Sequence, residues 1–223
     1  MTITKNQTDH QLKVAIDDEL TWSPNVKADH VGVSITDGAV TLSGEVESYP
    51  EKAAAVRAAL RVHGVSAIAD DVVVRHNWGS LQDADIAREA GNALRATAML
   101  PPDSVKAAVH NHEITLSGTV AWNYQREAAE HAVAGLRGVT AVHGKVKIKP
   151  TLPFSATEAK TRITSALVRN AQLNAKNIKV TAEGSQIDLN GTVNSWSEFR
   201  QAGFSARATP GVTHVKNHLK VLS

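Results

Sequence analysis

The chain has 223 residues, no cysteine, ten histidines and a formal net charge of +2. No stretch approaches the ~18 uninterrupted apolar residues of a membrane span, and without cysteine there is no disulfide framework, thiolate metal site or thiol nucleophile. The opening residues, MTITKNQTDHQLKVAIDDEL, place polar and acidic groups where an export signal needs an apolar run of roughly 7–15. A cytoplasmic protein is expected, with any membrane association peripheral.

The chain repeats itself. Shifts of 74 and then 73 residues superimpose Leu20, Leu94 and Leu167, then Leu42, Leu116 and Leu189, without a gap between these landmarks. Val46, Val120 and Val193 coincide in the same register, as do Gly44, Gly118 and Gly191, and the Gly-Val pairs beginning at Gly64, Gly138 and Gly211. An internal period of this kind outweighs length as a guide to domain count. It divides the chain into units of 1–75, 76–150 and 151–223.

Each unit opens with an i, i+4, i+8 apolar stripe, the mark of one helix face. The stripes are Leu12, Ile16 and Leu20; Ile86, Ala90 and Leu94; and Ala159, Ile163 and Leu167. Ser80 with Asp83, and Ser155 with Glu158, have the spacing of a capping box. After a proline-bearing loop comes period-two alternation, Val31-Val33-Ile35 and Val40-Leu42-Gly44-Val46, divided by Asp37-Gly38, the preferred chemistry of a two-residue hairpin turn. That turn makes Val31 face Gly44, Val33 face Leu42 and Ile35 face Val40. The same reading pairs Val109 with Ile114 across Asn111-His112, and Ala182 with Ile187 across Gly184-Ser185. Gly44, Gly118 and Gly191 then fall on the core face, where a missing side chain lets a helix backbone approach.

An alanine-rich second helix is expected near Glu51–Val62, Gln125–Leu136 and Glu198–Ala208, stopped by the recurring Gly-Val. A third strand follows. The predicted class is α+β: three tandem α-β-β-α-β domains, each a small three-stranded sheet with two helices on one face. The connections, near His76–Gln82 and Lys149–Ala156, each carry one large aromatic, Trp78 or Phe154, placed to pack on a neighbouring copy. Pro150 and Pro153 stiffen the second connection.

Helix, hairpin with a V-x-L-x-G-x-V second strand, alanine-rich helix, Gly-Val and final strand together resemble the BON domain, three times over and across nearly the whole chain. The resemblance implies a bacterial protein of the envelope or osmotic-stress response that binds phospholipid surfaces or acts as a chaperone-like or ligand-binding module. It also makes a cytoplasmic sensor of potassium or another small ligand an alternative, with a chaperone-like or scaffold protein as a third.

Nothing in the residue spacing points to catalysis, a cofactor or a metal. His110-x-His112 is the closest histidine pair, but the hairpin register puts one on the solvent side of a strand and the other in the turn. Two surface features remain. Aromatics are scarce, yet Tyr49, Trp122, Tyr124 and Trp196 all fall in the loop between second strand and second helix, where each either covers the start of its own second helix or presents at a protein or membrane interface, for which Trp and Tyr are suited. Charge is also graded, from −4 in residues 1–75 to +1 in 76–150 and +5 in 151–223. Lys145, Lys147, Lys149, Lys216 and Lys220 alternate with apolar residues in the final strands. They either protect a sheet edge or attract an anionic surface, and on the second reading the third copy dominates. An anionic phospholipid surface or envelope component is the expected partner, self-association or a protein partner the alternative, and nucleic acid is not expected.

Overall fold

The structure is a computed structural model that describes residues 9–36, 38–75, 79, 81–150, 155–169 and 177–222. The first repeat comprises α1 (Asp9–Trp22), β1 (Val31–Thr36), β2 (Ala39–Val46), α2 (Tyr49–Ala59) and β3 (Ala67–Val74). The second comprises α3 (Asp83–Ala96), β4 (Val105–His110), β5 (Glu113–Val120), α4 (Asn123–Ala134) and β6 (Ala141–Ile148). The third comprises α5 (Ala156–Arg169), β7 (Ile178–Glu183), β8 (Gln186–Val193), α6 (Trp196–Arg207) and β9 (His214–Val221). Trp78, Ser80, Asp37, Pro153 and Phe154 lie outside the described residues.

Each repeat forms its own three-stranded sheet, with orders β1-β2-β3, β4-β5-β6 and β7-β8-β9. The first two strands are an antiparallel hairpin in the register that the turns predict: Val33 opposite Leu42, Val109 opposite Ile114, Ala182 opposite Ile187. Asn111 and His112 take positive φ angles of 49° and 65°, as a primed two-residue turn requires. The third strand runs parallel to the second in the first two repeats. A parallel neighbour cannot be reached through a tight turn, and the crossovers are α2 and α4.

The core is the predicted stripe laid on the sheet. Leu12, Ile16 and Leu20 are buried, as are their counterparts Ile86, Ala90 and Leu94, and Ala159, Ile163 and Leu167. They are closed in by Val40, Leu42 and Val46 in the first repeat and by Ile114, Leu116 and Val120 in the second, with alanines of the second helix packed close. Burying a Leu or Ile side chain contributes roughly 1.5–3 kcal/mol, so this stripe is the main source of each repeat's cohesion.

The strand glycines do a different job from the one expected. Gly44, Gly118 and Gly191 have φ of 113°, 137° and 127°. A Cβ there would collide with the carbonyl oxygen just before the facing strand, that of His30, Ser104 or Asn177. The close neighbour is therefore the hairpin's own entry, not a helix. In the second repeat that same Ser104 carbonyl accepts the Thr119 N–H at 3.0 Å. Gly64, Gly138 and Gly211, after the second helices, also have positive φ.

One capping expectation is met in its Ser155 half and the other shifts. Ser155 Oγ accepts the Glu158 N–H at 3.3 Å. At α3 the cap is Gln82, whose N–H donates to Asp85 Oδ2 at 3.3 Å. Asp83 is thereby released for another role: its carboxylate accepts the N–H groups of Asn111 at 2.8 Å and His112 at 2.9 Å. The first repeat repeats the device, with Asp9 Oδ1 accepting from Gly38 N–H at 3.1 Å.

By compactness the chain divides into one unit of Met1–Arg75, Thr192–Arg200 and Lys220–Ser223 and a second of His76–Gly191 and Gln201–Leu219.

A candidate anionic-surface interface

In the first two repeats both helices pack on the sheet and on each other, which leaves the other face open, and the pairing decides which side chains meet on it. In the second repeat Lys106 lies opposite Ser117, and Ser117 opposite Lys145, while Thr119 lies opposite Lys147. Lys106, Lys145, Lys147 and Lys149 are all exposed. Two lysines thus flank a serine in one row across the sheet. Lys149 continues the column beyond β6, its N–H donating to Val120 O at 2.8 Å. Further along, His143 Nε2 lies 2.9 Å from Glu113 Oε2.

The equivalent faces differ in charge. In the third repeat Lys179 stands opposite Asn190, and Lys216 and Lys220 are exposed on β9. In the first repeat the row reads Gly32, Ser43, Asp71, and Arg75, just past the end of β3, is held by Glu45 at 3.3 Å. The charge gradient along the chain is therefore carried in part by the open sheet faces.

Three of the four aromatics lie in helices, and only Trp122 stays in the loop. Tyr49 and Trp196 are the first residues of α2 and α6, Trp122 caps α4 and Tyr124 is in its first turn, so the second helices begin two residues earlier than expected. The residue three places beyond each cap pins this turn. Buried Glu51 accepts from the N–H groups of Lys27 and Glu47 at 2.9 and 3.0 Å. Buried Gln125 accepts from Ala121 and Trp122 at 3.0 and 3.1 Å and donates to Met99 O at 3.3 Å. Glu198 accepts from Asn194 at 3.0 Å. The Ser48-x-x-Glu51 and Ser195-x-x-Glu198 spacings carried this signal in sequence.

The aromatics have separate fates. Trp122 and Tyr124 stack with ring centroids 6.4 Å apart, and Tyr124 is 52% exposed. Within the first compact unit, Trp196 Nε1 donates to Val65 O at 2.8 Å and its ring meets Phe199 edge-on at 5.0 Å. Tyr49 is half-buried. Sequence reasoning passed over other exposed apolar residues, among them Met99 at 60% and Trp22 at 83%. Trp22 lies off the buried stripe of α1 and was readable as such, whereas Met99 sits in an irregular loop without periodicity. Beside that loop an open groove of about 550 Å³ runs along Leu94, Leu100, Pro102 and Val105, with Arg95 and Lys106 on its walls.

Two charged groups show what the field does locally. Hydrogen bonds from the His112 and Asn111 backbone hold the Asp83 carboxyl below its usual range. Partial burial, with repulsion from Arg61 and Arg57 added, pushes the Arg200 guanidinium below the ordinary arginine range. His110 Nε2 lies 3.3 Å from Asn111 Nδ2 and His112 Nδ1 lies 3.0 Å from Gly138 O, so the two rings have separate partners. Among the described residues no group of three or more His, Asp or Glu is arranged to hold a metal ion. Nor is any described helix long and apolar enough to cross a membrane.

Three α-β-β-α-β sheets in tandem, each with one open face, define a modular α+β repeat protein. The BON domain model matches residues 8–76, 82–150 and 155–223, and the chain belongs to the BON domain family. It is 32% identical over 130 residues to osmotically-inducible protein Y of Escherichia coli, a match covering 56% of this chain and 65% of that protein. The chain thus spans just under two thirds of this relative's length. Among solved structures it is similar to CdsD, a structural protein of the type III secretion system of Chlamydia trachomatis, at 16% identity and a TM-score of 0.27, covering 95% of this chain and 92% of that one. The C-terminal domain of CdsD matches at the same identity and TM-score over 97% of this chain.

Proposed function

We propose that the chain is a non-enzymatic, peripheral binding protein that associates with anionic phospholipid surfaces or other envelope components in the response to osmotic stress. The observation that carries this reading is the row Lys106–Ser117–Lys145 with Lys147 and Lys149, exposed on a sheet face that no helix of its repeat covers. Each lysine close to an anionic bilayer contributes roughly 1 kcal/mol of attraction, and the attraction fades within a Debye length of about 8 Å at physiological salt. Lys179, Lys216 and Lys220 add to the long-range field from the third repeat. The name of the Escherichia coli relative supports the osmotic-stress setting.

Flotation of the intact protein with vesicles tests this. Binding is expected to phosphatidylglycerol-containing vesicles at low salt, falling as salt rises, with little binding to pure phosphatidylcholine. Equal binding to both vesicle types, or binding indifferent to salt, overturns the reading. A rise in melting temperature specific to potassium, without vesicle binding, favours the sensor alternative instead.

A further inference from the structure

Charge alone brings a protein near a bilayer without fixing which part enters it. The apolar side chains left in water at one end of the second repeat supply that choice. Gln125 joins the loop carrying Met99 to the start of α4, because one amide donates to Met99 O while accepting from Ala121 and Trp122 N–H. Met99 and Tyr124 are thereby held at one end of the repeat, each more than half exposed, with the Trp122 ring stacked beneath Tyr124. The Lys149 N–H bonds to the carbonyl of Val120, the last residue of β5 and three places before α4 begins, so the lysine column of β6 ends at the strand end from which the chain turns into that helix.

From this juxtaposition, and resting on the phospholipid reading above, we infer that this end of the second repeat enters the headgroup region of an anionic bilayer, with Met99 and Tyr124 inserted and Lys147 and Lys149 flanking them. Tyrosine and tryptophan suit that depth because the ring is apolar and its polar tip stays wet. A flexible thioether loses little on leaving water for disordered chains. The first repeat is the internal contrast. Trp22 is more exposed than either residue, but the positions matching Lys145, Lys147 and Lys149 are Asp71, Val73 and Arg75, with Arg75 held by Glu45. Helix α1 carries Asp17, Asp18 and Glu19, of which Asp17 pairs with Lys13 and Glu19 with Arg61. That end has one paired arginine where the second repeat has three exposed lysines, so it attracts an anionic surface less.

Because the chain has no cysteine, Met99→Cys and Trp22→Cys each introduce one thiol for an environment-sensitive fluorophore on the full-length protein. With phosphatidylglycerol vesicles at low salt, the probe at position 99 is expected to shift to the blue and gain intensity, and the probe at position 22 to stay unchanged. The charge-neutral double variant Met99→Ser/Tyr124→Ser is expected to bind these vesicles about a hundredfold more weakly, a factor of about ten for each partly buried apolar side chain. Wild-type flotation without a shift at position 99 overturns the insertion while leaving the phospholipid reading intact. Absence of flotation removes both.

Discussion

The Oδ1 of Asp83 accepts the backbone N–H of His112 at 2.9 Å, so the first residue of a helix grips the turn of the hairpin that follows it. The same carboxylate takes the Asn111 N–H at 2.8 Å, leaving neither turn amide to depend on water alone. These bonds depress the Asp83 pKa, and a depressed carboxylate contributes stability that is present above its unfolded pKa of about 3.9 and lost as pH falls through the lower folded value. Asp83→Asn is therefore expected to lower the urea midpoint at pH 7 and to narrow its gap to wild type at pH 3 and below. A gap that stays constant across that range assigns the loss to packing.

Gly118 meets two obstacles at once, a φ of 137° and the Ser104 carbonyl where a Cβ would sit. Alanine is destabilising by more than about 1 kcal/mol where the backbone needs positive φ, and here it also disturbs an oxygen that bonds Thr119. Gly118→Ala should lower thermal stability well beyond Gly135→Ala, since nothing lies within 4 Å of a Cβ at Gly135 and its φ is −89°. Equal losses would remove the hairpin-entry explanation.

Tryptophans expected to be equivalent are predicted to separate. Trp122→Ala should cost less than the ~3–5 kcal/mol of a fully buried large aromatic, because the ring is half-buried beside an exposed tyrosine. Trp196→Phe removes the donor to Val65 O and should cost about 1 kcal/mol, while Trp196→Ala should cost more than Trp122→Ala. Urea titration of the three variants checks the order.

Charge reversal separates long-range attraction from contact. Lys145→Glu/Lys147→Glu and Lys216→Glu/Lys220→Glu change net charge by the same amount, so vesicle binding lost in equal measure means that the overall field alone matters. A larger loss for the 145/147 pair is expected if the second repeat is the contact surface. The sequence-based expectation that the third copy dominates predicts the opposite order. Flotation at two salt concentrations decides, since loss of contact lysines should also flatten the salt dependence.

The sequence by itself determined what depends on near neighbours. Helix stripes such as Ile86, Ala90 and Leu94 follow from the turn of the α-helix, and hairpin pairs such as Val109 with Ile114 follow from a two-residue turn, because both are geometric consequences of short spacing. Repetition made the three copies legible as BON domains. Only the tertiary structure decided that β6 lies parallel beside β5, and therefore that Lys145 stands across Ser117 from Lys106. It also brought Met99 to Trp122 and Tyr124 through Gln125, and gave Trp196 the Val65 carbonyl as partner. Strand neighbours joined through a helix, and loops joined through one amide, carry no short-range period. Which residues meet is set by how the packed core positions distant backbone groups whose hydrogen bonds must be satisfied.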